Sequence, residues 1–506
     1  MEDEKKSKKL GLIPLVALIV GSSIGGGIFN ATADIAGSAP AGIALLTWLI
    51  VGAGIMLLVL SLNNIIRKRP DLDGGLVQYA EEGFGKFWGL VSGWGYWLSA
   101  WLGNVAFAAL LLYAIGGLLP SGSYWQNQFM FGEEATTAGI ILPFMIVSIV
   151  MWGLVLLVTR GVQSAAFINT VVLIAKFVPL LLVLVMSFVA FKAGIFKSGF
   201  WDNVFAGGDD GITLWGSISG GFMTMIWCFV GVEGACMFGD KAKNQKSVAK
   251  ATNIGFVLLL VVYLLLSIVP YGVLSQGDLA DLSKPALGGV LQEAFGGSMA
   301  GVYIVNVGLI ISLLGAWLSW TMLPVQTLEV MEKQGYISNH FAKKNKQGVP
   351  VFSLVVTTIC AQVFMLLFLF PDFLIAGESP YNFFVYMCGN AIMVTWFFAA
   401  MYQIKLSLKD DNKASLVLNT VIGTLAAAFQ VFMVLSVGGW LFMTMWITYI
   451  PAFGLYLAKR KKDVANTDEK LFSSLEILFM SIITIVAVIS VVLVLTKAVD
   501  IFGLFL

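Results

Sequence analysis

Apolar runs long enough to cross a bilayer recur along the whole chain, and they limit its fold more than any other feature. Crossing about 30 Å of hydrocarbon takes a helix of about 20 apolar residues. Of the 506 residues, 58% are hydrophobic and 12% are charged, more apolar surface than a water-soluble core absorbs. The sequence therefore predicts an all-α polytopic membrane protein. About thirteen spans are expected, near residues 11–35, 40–66, 84–119, 136–158, 163–193, 213–238, 247–276, 298–330, 351–370, 378–405, 414–436, 440–459 and 471–496.

The loops between these spans alternate in their content of Lys and Arg. These residues collect in the N-terminal tail, at Arg160 and in the stretches 67–70, 240–250, 341–347, 405–413 and 459–462. The intervening loops, near 120–135, 197–211, 277–297 and 371–380, are poor in Lys and Arg or carry Asp and Glu. Because positively charged loops stay in the cytosol, we expect a multi-pass protein of the cell (plasma) membrane with a cytoplasmic N-terminus. An odd number of spans puts the C-terminus outside.

The composition argues against several classes of function. The four cysteines, Cys228, Cys236, Cys360 and Cys388, lie in apolar runs and are expected to be free thiols, not disulfides or metal ligands. The single histidine, His340, lies in a charged loop. A net charge of +1 provides no basic surface for nucleic acid. We therefore expect no enzyme, catalytic residue, metal or cofactor.

The first span carries three consecutive glycines, Gly25, Gly26 and Gly27, near its middle. Each costs a continuous helix about 1 kcal/mol relative to alanine. A helix-packing motif needs small residues one turn apart on one face. Three in a row instead favour an unwound segment whose backbone amides face a polar cavity.

The sixth span carries a second interruption, where Gly231 and Gly234 flank Glu233 deep in an apolar segment. A carboxylate in lipid costs about 2.5–3.5 kcal/mol, so Glu233 is a functional candidate. The alternative is a carboxylate paired structurally near a helix end. No second intramembrane acid is evident to pair with a cationic ligand.

Interruptions in spans 1 and 6 are what two inverted repeats of five helices predict. In such a 5+5 fold, half-helix N-termini offer amides to an anion and unwound carbonyls accept a cation, which matches the head group of an α-amino acid. The expected organisation is a cytoplasmic tail (1–10), a first repeat (11–193), a second repeat (213–405) and about three additional C-terminal helices (414–506).

Other polar and aromatic residues lie within the spans. Lys176 lies about 13 residues, or about 20 Å, from the cytosolic end of span 5. We expect it to take part in the coupling of transport or to stabilise a binding site, and the alternative is that it only braces spans 1 and 8. Trp317 and Trp320 on span 8 are either core packing or a cap over a site. Trp227, next to the span 6 break, has a stronger claim to the site by position.

Span 3 places Tyr96, Ser99, Gly103 and Asn104 on about one face of a helix. Two hydroxyls and an amide on one stripe are suited to lining a substrate cavity.

These motifs resemble those of the APC superfamily, and more closely its basic amino acid/polyamine antiporters. The resemblance covers spans 1 to 10 and rests on GGGIFN at 25–30, GGLVQYAEEGFG at 74–85, YWLSAWLGN at 96–104, WCFVGVEGA at 227–235 and WTMLPVQT at 320–327. The usual Gly-Ser-Gly of the first span is Gly-Gly-Gly here, which removes a hydroxyl. That change and a thirteenth span look most like bacterial arginine/ornithine antiporters of the arginine deiminase pathway.

The resemblance implies a secondary transporter that exchanges arginine for ornithine by alternating access, without an ion gradient. It implies that a substrate carboxylate is held by the amides of Ser23, Ile24, Gly25, Gly26, Gly27 and Ile28. It implies that the α-amino group is held by carbonyls of Cys228, Val230 and Gly231.

The resemblance also implies roles for side chains. Trp227 and Trp320 would pack on the substrate and gate the occluded state, and Tyr96 would be an outer-gate tyrosine. Further implied roles are a side-chain pocket of Ser99, Asn104 and Phe107, an inner pH-sensitive residue at Glu233, and a lysine in place of a sodium ion at Lys176.

Alternatives with the same fold are an exchanger of lysine, histidine or tyrosine with the matching amine, or a proton symporter that uses Lys176. A channel or a membrane amino acid sensor would belong to a different class. A channel needs a ring of filter residues and a sensor needs a signalling domain, and neither is visible in the sequence. The expected partners are the amino acid substrate and membrane lipid, and a homodimer is left open.

Overall fold

The computed structural model describes residues 11–72, 74–161, 166–201, 213–233, 245–370, 379–436, 439–465 and 471–495. Within these ranges the regular structure is helical throughout, with no β-strand. The α-helices are α1 Leu12–Ser23, α2 Ile28–Ala36, α3 Ala41–Lys68, α4 Gly75–Phe84, α5 Lys86–Gly116, α6 Tyr124–Met130, α7 Thr137–Thr159, α8 Ala166–Val189, α9 Ala193–Ser198, α10 Leu214–Ser219, α11 Phe222–Phe229, α12 Gln245–Ile268, α13 Gln276–Ala280, α14 Ala286–Ala294, α15 Ala300–Lys333, α16 Val351–Met365, α17 Pro380–Ser407, α18 Lys413–Ser436, α19 Gly439–Met445, α20 Ile450–Asp463 and α21 Ser474–Leu495.

In the described part of the chain, ten helices are long and apolar enough to cross a membrane. They lie at predicted spans 2 to 4 and 7 to 13, namely Ala41–Lys68, Lys86–Gly116, Thr137–Thr159, Ser247–Gly272, Ala300–Lys333, Val351–Leu369, Pro380–Ser407, Lys413–Ser436, Leu441–Asp463 and Ser474–Leu493. Helix α8 lies at predicted span 5, and spans 1 and 6 are interrupted. The chain is a multi-pass membrane protein, and the total of thirteen spans and their orientation stay predictions.

Two helices, α5 and α17, form the centre of the bundle. Almost all of their apolar length is buried, whereas α18, α20 and α21 bury only a minor part of theirs. The side chains that the outer helices expose include Val421, Leu435 and Ile485. Exposed apolar side chains are stable in contact with lipid tails, because lipid is as apolar as the side chains themselves.

Both predicted interruptions are present. Helix α1 ends at Ser23 and α2 begins at Ile28. Helix α11 ends at Phe229, and the chain then turns through Gly231 at φ 107°, a left-handed conformation that favours glycine. Gly234 lies outside the described residues.

Span 6 contains one further interruption that the sequence did not predict. Gly220 and Gly221 separate α10 from α11. A Cβ atom on Gly220 would lie 2.5 Å from that of Ser38, so glycine permits a close approach there. The kink has a packing cause and lies away from the midspan break.

Arg69, directly after α3, ties three elements together at one end of the bundle. Its guanidinium donates to Asp71 at 2.7 Å, to Glu82 of α4 at 2.8 Å and to the Tyr402 hydroxyl of α17 at 3.0 Å. The hydrogen bonds from Arg69 hold the pKa of Asp71 below its ordinary value. This end of the bundle is the predicted cytosolic end.

Packing between α3 and α18 depends on Gly54, because a Cβ there would overlap the Phe429 ring. We expect Gly54→Ala to destabilise the protein by about 1–3 kcal/mol, since the ring has to move. Melting temperatures in detergent measure the effect. Gly153 of α7 has no described atom within 4 Å of its Cβ position, so Gly153→Ala is the matched control and should not lower the melting temperature. Equal losses in both variants would contradict the packing argument.

Candidate functional site

The break between α1 and α2 leaves a short run of backbone amides open. Ile24 donates to the Val20 carbonyl at 3.0 Å and Gly25 donates to the Ser23 carbonyl at 2.9 Å. Among the described residues, the amides of Gly26, Gly27 and Ile28 have no backbone acceptor. These three lie at the N-terminus of α2, where unpaired N–H groups and the helix dipole both favour an anion.

The carbonyl end of α1 is held by side chains from two other helices. Lys176 of α8 donates from Nζ to the Gly21 carbonyl at 2.8 Å. The Tyr263 hydroxyl of α12 donates to the Ser23 carbonyl at 3.1 Å. A cation at a helix C-terminus is favourable, and Lys176 is 4% exposed, so this charge is confined to the break.

The span 6 break engages Glu233 in a similar way. Both Glu233 carboxylate oxygens accept from the Gly231 amide, at 3.1 and 3.0 Å. The Tyr96 hydroxyl lies 3.5 Å from Oε1, at the limit of a hydrogen bond. Within the described chain, no backbone amide donates to the carbonyls of Cys228 and Phe229. Those two oxygens are open to a cationic partner.

Three aromatic rings meet between the two breaks. Phe107, Trp227 and Trp320 lie with their ring centroids 5.5 to 5.9 Å apart. Gly103 lies beneath both tryptophans, and a Cβ there would be 3.0 Å from each ring. The cavity under the rings has a volume of about 10 Å³, space for about one water molecule. Its lining is Ser23, Gly25, Gly27, Ile28, Phe107, Trp227, Cys228, Val230, Tyr263 and Trp320.

The structure brings most of the predicted binding residues together. Those found around the cavity are Ser23, Gly25, Gly27, Ile28, Phe107, Trp227, Cys228, Val230 and Trp320. Ile24 and Gly26 lie in the same break as the lining glycines, and Gly231 lies in the other. Trp317 is buried and is not among the lining residues of this cavity. Tyr263 was not predicted, since a tyrosine in an apolar span carries no distinguishing signal.

Ser99 and Asn104, whose role in a side-chain pocket stays a prediction, do not line the small cavity of this conformation. The Ser99 hydroxyl lies 3.1 Å from the Cys388 sulfur of α17. The Asn104 amide donates to the Trp320 carbonyl at 3.3 Å. Neither residue is among those that line the cavity. In this conformation they tie α5 to α17 and α15.

Tyr96, predicted for the outer gate, lies beside Glu233. Tyr96 lies eleven residues before Phe107 on α5, about 16 Å along the helix towards Lys86. It contacts Glu233, which was predicted for the inner side. The two residues therefore lie on the same side of the aromatic cluster in this conformation, and their assignment to opposite gates stays a prediction.

Beside Glu233, no second acid within the spans was expected that could pair with a cationic ligand. The structure contradicts this expectation. Asp34 of α2 lies in predicted span 1, and its side chain is 5% exposed. Its Oδ1 accepts from Lys284 Nζ at 2.7 Å. This pair was not predictable from the sequence, because Asp34 lies at the edge of a span and its partner Lys284 lies in a loop 250 residues away.

The triple glycine has a steric cause in this structure. A Cβ on Gly26 would overlap the side chain of Leu110 and lie 3.2 Å from Leu313. A Cβ on Gly27 would lie 2.6 Å from Trp227 Cδ1. The space that a serine would need at Gly26 is therefore filled by leucine side chains, so the missing hydroxyl is matched by apolar packing.

A bundle of membrane-spanning helices with interruptions in the first and sixth spans is typical of membrane transporters. The sequence profile of the amino acid permease family matches residues 10–502, and the chain belongs to that family. It is 41% identical to an arginine/ornithine antiporter of Latilactobacillus sakei over 98% of each chain. An arginine/ornithine antiporter of Pseudomonas aeruginosa is 34% identical, over 96% of this chain and 97% of that relative. An arginine/agmatine antiporter of Chlamydia abortus is 32% identical over 97% of each.

A methyl group at Gly27 tests the contact between the break and Trp227. We expect Gly27→Ala to lower the initial rate of amino acid uptake at least about tenfold, because the ring must leave its place against the break. Proteoliposome uptake of labelled arginine measures the rate. Gly25→Ala is the matched variant, since its Cβ would meet only the Phe107 ring, at an ordinary 3.5 Å. An equal loss in both variants would show that the Trp227 contact is not the cause.

Proposed function

We propose that this chain exchanges arginine for ornithine across the cell membrane by alternating access. The observation that carries the proposal is the convergence of open amides and open carbonyls on one cavity, in a chain whose near full-length relatives are named for this exchange. Both substrates are α-amino acids with one cationic side chain, so their exchange moves no net charge.

The head group fits the two breaks. The open amides of Gly26, Gly27 and Ile28 bind the carboxylate, and the open carbonyls of Cys228 and Phe229 bind the α-ammonium group. The predicted Val230 and Gly231 carbonyls lie directly after these two. The same pairing does not depend on the side chain, so it serves arginine and ornithine equally.

The aromatic cluster supplies the gate. An amino acid does not fit a volume of about 10 Å³, so one or more of the three rings must move to admit substrate. A cationic side chain then meets the faces of Trp227 and Trp320, which attract cations. Closing the rings again occludes the substrate between the two sides of the membrane.

The moving parts are assigned as two inverted repeats, residues 11–193 and 213–405, with the N-terminus in the cytosol. Support comes from the repetition of a broken helix after five spans and from the loop charges. On this assignment, α2 and α11 form the outer half of the site, and Tyr96 and Glu233 lie on its inner side.

Lys176 takes the place of a bound cation, because its ammonium occupies the carbonyl end of α1. A fixed charge there removes the need for an ion that is released in each cycle. This geometry fits exchange without a bound metal ion, since Lys176 donates to the carbonyl that such an ion would contact.

Counterflow in proteoliposomes tests the exchange. Vesicles loaded with ornithine should take up labelled arginine at a rate far above that of empty vesicles, because inward-facing carriers return only when loaded. Lysine, histidine and tyrosine added outside serve as competitors. Uptake that does not depend on internal ornithine would overturn the assignment.

Neutral replacements of the two break-bound charges separate their roles. We expect Lys176→Met to slow exchange of cationic and neutral amino acids alike, because it removes a donor to the backbone. Glu233→Gln should weaken the binding of cationic substrates more than that of neutral ones, since it removes a negative charge on the inner side of the site. The ratio of half-saturation constants for arginine and its neutral analogue citrulline measures both. An unchanged ratio in Glu233→Gln would exclude its contact with substrate charge.

A further inference from the structure

Helix α2 carries a buried ion pair beyond the end of the cavity. Lys284, in the segment between α13 and α14, donates to Asp34 Oδ1 at 2.7 Å and to the Asn382 side-chain oxygen at 3.2 Å. The Asn382 amide lies 3.4 Å from the same Asp34 oxygen. The Lys284 and Asp34 side chains are 15% and 5% exposed. Three separate parts of the chain therefore meet at one carboxylate.

This pair lies across the cavity from Glu233. Asp34 is six residues after Ile28, a cavity residue, so it lies about 9 Å further along α2. Asn382, at the start of α17, is on the end of that helix opposite Tyr402. On the proposed orientation, the pair therefore lies on the outer side of the cavity, where substrate would enter.

The carboxylate is not saturated by its present partners. Asp34 Oδ2 is buried and has no hydrogen-bond partner among the described residues, and the same holds for Asn30 Nδ2 one turn earlier on α2. An orphaned carboxylate oxygen in a buried place is costly unless a donor reaches it. A guanidinium has five donors and fills both oxygens of a carboxylate, whereas a lysine ammonium here reaches one.

The surroundings of the Lys284 ammonium are those of a cation site. A carboxylate oxygen and an amide oxygen lie within hydrogen-bond distance, and the Tyr381 ring centroid lies 5.6 Å away. These are the groups that bind the side chain of a cationic amino acid. Lys284 thus occupies a site whose chemistry suits the proposed substrates.

We propose that Asp34 binds the cationic side chain of the substrate on the outer route to the cavity, and that Lys284 occupies this place between substrates. The inference rests on the proposed function, because it requires a cationic substrate. A buried carboxylate without a cation is strongly unfavourable, so Lys284 leaves Asp34 only when another cation replaces it. The site thereby discriminates by charge before the head group reaches the breaks.

Two variants that break the same ion pair distinguish this role from a structural one. Asp34→Asn removes the binding group, so the half-saturation constant for external arginine should rise about tenfold and the preference for arginine over citrulline should fall. Lys284→Met removes the competing cation, so the same constant should fall about threefold. Initial rates of labelled arginine uptake into ornithine-loaded proteoliposomes measure both. A structural clamp would shift both variants in the same direction.

The matched controls come from a partly exposed ion pair on α20, Lys459 with Asp463 at 2.6 Å. Lys459→Met and Asp463→Asn should leave the arginine constant unchanged, since that pair is remote from the route. Asp34→Glu keeps the charge and should keep the arginine preference, which provides a readout if Lys284→Met does not fold. Shifts of equal sign in Asp34→Asn and Lys284→Met, or an unchanged arginine preference in Asp34→Asn, would overturn the inference. Absence of exchange in the unmodified protein would instead overturn the proposed function.

Discussion

A backbone polar group inside a bilayer has no water to bind, and the rest of this structure depends on that constraint. The breaks in spans 1 and 6 expose such groups at midspan, and side chains of the protein satisfy some of them. Lys176 and Tyr263 reach the carbonyl end of α1, and Glu233 reaches the Gly231 amide. What stays open in the described chain is an amide set on one break and a carbonyl set on the other. The open amides are complementary to the carboxylate of an amino acid, and the open carbonyls are complementary to its ammonium group.

The same constraint explains why the cavity closes so tightly. Open backbone groups in an apolar site are costly when exposed to neither water nor substrate, so the aromatic rings pack down until little space is left. Glycines at 26, 27 and 103 let Leu110 and the two tryptophans approach the backbone. Access to the cavity therefore requires movement of these rings. The Asp34–Lys284 pair and the Arg69 network lie at opposite ends of α17, about 30 Å apart by its length from Asn382 to Tyr402.

The sequence predicted those features that depend on local composition. Span positions follow from apolar length, and the breaks follow from the cost of glycine within a helix. Features that depend on which face of a buried helix meets which neighbour were not predictable. Helical spacing placed Ser99 and Asn104 on one stripe of α5, but both sides of that helix are buried, so the stripe alone did not identify the cavity. The pairing of Asp34 with Lys284 was not predictable, because only the folded chain brings the two residues together.

The proposed site has two carboxylates at different depths, Glu233 and Asp34, and their hydrogen-bond partners differ. Both oxygens of Glu233 are engaged by the Gly231 amide, so much of its charge stabilises the break that holds it. Asp34 has one oxygen without a partner among the described residues, and its other oxygen accepts from a cation that belongs to a loop, not to a membrane span. The fixed ammonium of Lys176 balances the carbonyl end of α1 throughout. In the proposed exchange, each cationic amino acid that leaves is replaced by another of equal charge, so the sum of the charges at the site is restored after every cycle.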